Sequence, residues 1–152
     1  MLIISHRGNI RGSSPNTENT TYAIEQAIGM GFDCEIDVWY QEDSFWLGHD
    51  KAENKVSVDF FNKHSCHLWI HCKNIEALIQ LKDRFNCFFH DKDTYTLTSK
   101  GYIWGNIGSS MTKETIQVMP ERSKHEYQEC LGICTDFPIH YNDRFKMKLY
   151  PE

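Results

Sequence analysis

Apolar residues along the chain come in short, often β-branched runs: Leu2 to Ser5, Cys34 to Val38, Leu68 to Cys72, Cys87 to His90, Tyr102 to Trp104, Ile116 to Met119 and Gly132 to Thr135. Runs of this length, bounded by polar and Gly-containing segments, predict strands. Between several of them the period changes. Thr20 to Met30 places Tyr22, Ala23, Ala27 and Met30 close to a helical repeat and stops at Gly31. Ile75 to Phe85 does the same with Ile75, Leu78, Ile79 and Leu81, while Ser123 to Cys130 and Ile139 to Met147 carry weaker helical patterns. Strand–helix alternation predicts an α/β fold around a parallel sheet. Trp39 to Asp50, with Phe45-Trp46-Leu47-Gly48 in its second half, breaks the alternation and reads as a hairpin. An eight-stranded α/β barrel usually takes about 250 residues. In a single domain spanning 1–152, the helices of such a barrel must be short or partly missing.

The polar residues gather at the ends of these strand candidates, where barrel enzymes keep their sites. His6 and Arg7 follow the first run, and Glu35 and Asp37 alternate with Cys34, Ile36 and Val38 in the second. Residues at i and i+2 of a strand share a face, so the two carboxylates point together, opposite three apolar side chains. Two adjacent buried acids repel unless a cation sits between them, and a hard divalent ion such as Mg²⁺ or Ca²⁺ resolves the conflict. The plain alternative is a pair of exposed acids on an edge strand. His71 and Lys73 repeat the pattern on the third run, on one face with Trp69, leaving Leu68, Ile70 and Cys72 toward the helices. His49-Asp50 ends the hairpin, His90-Asp91 and Asp93 follow the fourth run, and Thr135-Asp136-Phe137-Pro138 follows the last.

Charge narrows the function. The chain carries 16 basic and 21 acidic residues, net −5, with no basic run or stripe, so no electrostatic footprint for nucleic acid is present. An anionic substrate must then be held locally, by metal, Arg and Lys. No window approaches the roughly 18 apolar residues that span a bilayer. The start, Met1-Leu2-Ile3-Ile4, reads as a strand rather than a leader. The cysteines at 34, 66, 72, 87, 130 and 134 form no Cys-x-x-Cys pair and lie mostly in apolar runs, which predicts reduced thiols in a cytoplasmic protein.

The order His6-Arg7-Gly8, Glu18-Asn19-Thr20, Gly31-Phe32-Asp33-Cys34-Glu35-Ile36-Asp37-Val38 and His49-Asp50 resembles the glycerophosphodiester phosphodiesterase family, within the phospholipase-C-like (PLC-like) phosphodiesterase superfamily. Leu68 to Lys73 aligns with the family's third strand, and Gly132 to Pro138 is similar to its last-strand ending. Cys87 to Glu121 matches poorly and looks like that of a small, compact subgroup, with Tyr102-Ile103-Trp104 and Val118-Met119-Pro120-Glu121 as strand ends. The resemblance implies a compact TIM-type barrel with a hairpin after its second strand. It implies a divalent metal on Glu35 and Asp37, His6 and His49 as the catalytic pair, Arg7 and Lys73 on phosphate oxygens, and Glu18 organising the loop around His6 and Arg7. Where the family has a third carboxylate, this chain has His71. Imidazole admits Mn²⁺ or another transition metal beside Mg²⁺ or Ca²⁺. The other readings are a site completed by water, or a ligand recruited from Glu121 or Asp93.

The expected reaction is P–O cleavage of a small phosphodiester, with one histidine taking the nucleophile's proton and the other protonating the leaving oxygen. Trp39, Trp69 and Trp104 are candidates for the cleft mouth or for core; Trp104, followed by Gly105, is the foremost substrate contact. The alternative function is a barrel that binds a phosphate or sugar phosphate without turnover, and the third is a purely structural α/β domain. Missing helices would expose apolar strand faces and leave a homodimer open.

Overall fold

The protein is described by a computed structural model over residues 1–124 and 128–149, with side chains to 146. In chain order the elements are β1 (Leu2–His6), α1 (Thr21–Gly29), β2 (Asp33–Gln41), β3 (Ser44–Leu47), β4 (Asn54–Val56), α2 (Val58–His64) and β5 (Leu68–Cys72). There follow α3 (Ile75–Leu81), β6 (Cys87–Phe88), β7 (Tyr95–Leu97), β8 (Ile103–Gly105), β9 (Thr115–Val118), a 3-10 turn (Pro120–Arg122), β10 (Gly132–Thr135) and α4 (Pro138–Leu149). Every apolar run singled out in the sequence overlaps a strand of this set. The Ser123 to Cys130 pattern has its centre, 125–127, outside the described residues.

The strands form one mixed sheet. Its parallel part runs β6-β5-β2-β1-β10-β9-β8, with β7 antiparallel on the β8 edge. Strand β2 outruns β1, and its free C-terminal half, Val38 to Gln41, pairs antiparallel with β3, which carries β4 outside it. This is the hairpin expected after the second strand. The sheet curls strongly but does not close, so the expectation of a closed TIM-type barrel is corrected to an open half-barrel. The reason is local. Strand β6 has two residues and β7 runs the wrong way for a parallel partner, so no ladder joins them among the described residues. Ser99 ties the two edges instead, donating its N–H to the Cys87 carbonyl at 2.8 Å and accepting from Cys87 N at 3.0 Å through its hydroxyl.

Helices α1, α2 and α3 start at Thr20, Ser57 and Asn74, whose side chains accept from the N–H of Ala23, Phe60 and Ala77. Such caps satisfy one of the orphan donors at each helix start and contribute typically about 1 kcal/mol. Together these helices cover the outer face of β6, β5 and β2. There Ile24, Cys34, Ile36, Val38, Phe61, Leu68, Ile70, Cys72, Ala77 and Leu81 form the larger core. The helix faces differ from the periodicity reading. Tyr22, Met30, Ile75 and Ile79 are exposed, while the sheet-facing sides carry Ala23, Ile24 and Ala27 in α1 and Ala77 and Leu81 in α3. A second cluster fills the inside of the curl: Ile4, Trp69, Phe88, Trp104, Ile116 and Cys134. Among the described residues, no helix packs closely on β8 or β9. Loop residues take that place: Gln128 N–H donates to Gln117 Oε1, Met111 N–H to Gln128 Oε1, and the Met111 thioether packs where Gly105 has no side chain. The six cysteines are free thiols, four of them buried within strands as small apolar residues. No helix among the described residues is long and apolar enough to cross a membrane.

Candidate active site and metal centre

Parallel pairing puts the polar strand ends side by side. Register matches His6 with Glu35 across β1 and β2, and Asp37 with His71 across β2 and β5. Since Cys34, Ile36 and Val38 are drawn to the helix side, Glu35 and Asp37 are forced inward. They are buried in the middle of the sheet, 3 % and 0 % exposed, which removes the edge-strand alternative. One carboxylate oxygen each from Glu35 and Asp37, with a ring nitrogen of His71, lie within 4.8 Å of one another. His71 Nδ1 stands 3.1 Å from Asp37 Oδ1 and 3.9 Å from Glu35 Oε1.

Asp37 is the most heavily supported group. Arg7 Nε lies 3.0 Å from its Oδ2, Lys73 Nζ 3.6 Å from its Oδ1, and Asn19 donates from Nδ2 to Oδ2 at 2.9 Å. Asn19 also accepts the Asp37 N–H through Oδ1. Burial pushes the Asp37 pKa up, but His71, Arg7 and Lys73 outweigh it and hold the carboxyl well below its usual range. Glu35 lacks that support: burial first, then the Asp37 charge, push its pKa up. The buried Glu35 Oε2 accepts no hydrogen bond, and Asp37 Oδ1 is met only by its cationic or imidazole neighbours, His71 and Lys73. Leaving a charged oxygen such as Glu35 Oε2 buried and without a hydrogen bond is costly by several kcal/mol, so a divalent cation fits this donor set. Glu35, Asp37 and His71 are the residues that could hold it.

His6 is fixed from behind. Its Nδ1 pairs with Asp136 Oδ1 at 2.8 Å, while Nε2 stands 3.9 Å from Glu35 Oε2. Asp136, 2 % exposed, also accepts from Asn9 Nδ2 at 2.9 Å and lies 3.1 Å from Arg122 Nη2. Burial lowers the His6 pKa, but the Asp136 hydrogen bond and the Glu35 charge raise it further, so the net shift is upward. Asp136 moves the other way: burial raises it, and His6, Asn9 and Arg122 bring it below the usual value.

Glu18 accepts from Arg7 Nη1 at 2.9 Å and Asn9 Nδ2 at 3.1 Å, which ties the loop after β1 together. The loop it ties is tight: Arg7 and Asn19 adopt φ of +56° and +54°, and Gly8, at +83°, lies so close to α1 that a Cβ would sit 2.8 Å from the Ala23 carbonyl carbon. Residues at positive φ are uncommon away from glycine and gather where geometry is functional.

His6, Arg7, Glu35, Asp37, His49, His71, Phe88, His90, Trp104, Asn106, Ile107, Val118, Met119 and Arg122 line one cavity of about 200 Å³. His49 stands at its rim, half-exposed, with Nδ1 2.7 Å from Asp50 Oδ1. Gly48 places it there, at a φ of +148° where a Cβ would collide with the Lys51 carbonyl. Lys73 is not part of the lining and acts on Asp37 from the side. Trp104 is both core and cavity wall, 4 % exposed and packed on Trp69 and Phe88. Trp39 and Trp69 are outside the lining; the Trp39 indole donates to the Gly48 carbonyl and braces the hairpin end. Neither proposed recruit reaches the carboxylates. Asp93 is exposed, and Glu121 Oε1 accepts from Thr135 Oγ1 and Asp136 N.

Asp136, Asn9, His90 and Arg122 belong to the site without having been given roles from sequence. Asp136 stood in a recognised strand ending, but only the β1–β10 pairing brings it behind His6. Arg122 carried no signal beyond its charge; a turn begun at Met119, φ +47°, delivers it. No protein-family model, curated protein or solved structure matches this chain.

Proposed function

We propose that the protein is a metal-dependent phosphodiesterase, resembling the glycerophosphodiester phosphodiesterases, that cleaves a P–O bond in a small glycerophosphodiester-type substrate. One observation carries this reading. The buried carboxylates of Glu35 and Asp37, with a Glu35 oxygen that accepts no hydrogen bond, face with His71 the same small cavity that holds three further histidines and two arginines. A divalent ion on Glu35, Asp37 and His71 would supply Lewis acidity toward a non-bridging phosphate oxygen.

The chain's own residues do the rest. His6, held by Asp136 with its Nε2 toward Glu35, is oriented to move a proton at Nε2, and His49 at the rim is the complementary acid or base. Asp136 fixes the ring and favours its charged form, as a carboxylate behind a catalytic histidine does. Arg7, after β1, and Arg122, in the turn after β9, both line the cavity, so charge on the equatorial oxygens would be met by two guanidinium groups. About 200 Å³ is small beside the roughly 300–1,000 Å³ of sites for drug-sized ligands, which favours a compact head group.

The test is phosphorus NMR on glycerophosphodiesters of several head groups, with Mg²⁺, Ca²⁺, Mn²⁺ or a chelator. Metal-dependent product that vanishes in the His6→Ala/His49→Ala double variant is the expected result, and a cyclic or linear product names the nucleophile. Metal binding without turnover on any substrate would replace this reading with a phosphate-binding half-barrel that lacks turnover.

A further inference from the structure

We propose that the Glu35/Asp37/His71 centre selects a borderline first-row ion, of the Mn²⁺, Co²⁺ or Zn²⁺ class, over Mg²⁺ and Ca²⁺; this rests on the metal-centre reading above. Hard ions prefer all-oxygen ligation, whereas imidazole suits the transition series. The question is whether His71 is a fixed ligand or a bystander that can turn away. Its ring is stacked on Phe88, 8° from parallel at 5.1 Å between centroids, and His90 meets it at 89° and 4.6 Å. Phe88 is 2 % exposed and packed on Trp104. Aromatic neighbours on two sides thus lock the imidazole with Nδ1 toward both carboxylates, and such outer support tunes metal sites strongly.

Among the described residues no third carboxylate is at hand to replace it. Glu121 is engaged by the end of β10, Asp93 is exposed, and Asp136 is committed to His6, Asn9 and Arg122. Asp37, moreover, is shared with Arg7 and Lys73, at 3.0 and 3.6 Å, so a hard ion would have only Glu35 as an uncontested anionic ligand. A borderline ion gains the fixed nitrogen and depends less on carboxylate charge. Sequence alone left changed preference, water completion and a recruited acid as equals; the ring packing favours the first.

The experiment is thermal unfolding of the metal-stripped protein titrated with each metal salt alone, since a ligand bound only by the folded state raises Tm by mass action. The wild type should respond to Mn²⁺ and Co²⁺ at concentrations about tenfold or more below those needed for Mg²⁺ or Ca²⁺. His71→Glu should reverse that order, and should change the visible absorption of the Co²⁺-loaded protein. The Glu35→Gln/Asp37→Asn double variant subtracts binding by surface His and Cys. His71→Gln serves as a second probe should His71→Glu fold poorly, and it should lose the transition-ion advantage. Equal response to Mg²⁺ or Ca²⁺ in the wild type overturns the selectivity while leaving the metal centre standing. No response beyond the double variant overturns the metal centre itself.

Discussion

The two halves of the curled sheet are built differently. Strands β2, β5 and β6 have helices on one side and, in β2 and β5, polar residues on the other, so a continuous apolar layer backs the carboxylates and His71. Strands β8, β9 and β10 are held by the smaller inner cluster, with loop residues outside β8 and β9. The first half supplies the metal-ligand candidates from strand interiors. The second supplies Asp136, Glu121 and Arg122 from strand ends and a turn started at positive φ. Ligands that must keep a fixed mutual distance sit on the stiffer wall. Groups that orient a neighbour through hydrogen bonds sit on the other.

The largest test of this contrast is a pair of truncations. Phe61 is fully buried and meets Phe45, Phe60 and Phe85 edge-on, so Phe61→Ala should cost about 3–5 kcal/mol. Met111 covers β8 from a loop and is only half-buried, so Met111→Ala should cost no more than about 1 kcal/mol. Urea unfolding midpoints give both values. Equal losses would mean that the loop-covered wall is as tightly packed as the helical one.

A second prediction concerns the strain stored on the stiff wall. Glu35 is a buried carboxylate with an unpartnered oxygen and a raised pKa, so its ionisation opposes folding in the metal-free protein. Glu35→Gln should therefore stabilise that form by about 1–2 kcal/mol at neutral pH, as substitutions at functional sites often do. The sign follows from linkage: the penalty is complete above the raised folded-state value and absent below the ordinary glutamate value of 4.5. The gain should fade as pH falls through that window, and the variant's Tm should no longer respond to metal. A variant less stable than wild type at neutral pH would show that Glu35 is accommodated by its neighbours rather than strained.

The same contrast explains what was legible in the sequence. Alternation along β2 and β5 gave the shared faces of Glu35 with Asp37 and of His71 with Lys73, because one side of each strand is strictly apolar. Strand α/β order was equally readable. Closure was not, since it depends on whether β6 and β7 can pair, and no local pattern encodes that. Helix α2 was overlooked: seven residues beginning Val58-Asp59-Phe60-Phe61 leave too little room for a period, although Ser57 is a fitting cap. The faces of α1 and α3 were legible in part: Ala23, Ala27 and Leu81 lie on the buried side as the repeat predicts, while Ile24 and Ala77 take the places that Tyr22 and Ile75 would have held. Arg122 and the Asp136–His6 pair depend on contacts across more than a hundred residues or on a turn conformation, which single-chain patterning does not carry.

The smallest effect isolates the second half's contribution to the first. Asp136→Asn keeps the size and one acceptor but removes the charge behind His6. In the wild type, burial lowers the His6 pKa and the Asp136 bond and Glu35 raise it above 6.5. The variant's His6 midpoint, followed by imidazole proton NMR, should therefore fall relative to wild type. Stability should follow the same pair. A histidine with a raised folded-state pKa contributes fully below its ordinary 6.5, and that contribution is lost as pH rises through the raised value. Asp136, with a lowered pKa, contributes above its ordinary 3.8 and is lost as pH falls through its depressed value. The gap between wild type and variant should thus be widest between about 4 and 6.5 and narrow on both sides. An unmoved His6 midpoint would mean that Glu35, on the stiff wall, sets the charge of His6 by itself. The loop-covered half would then contribute shape to the site and no electrostatics.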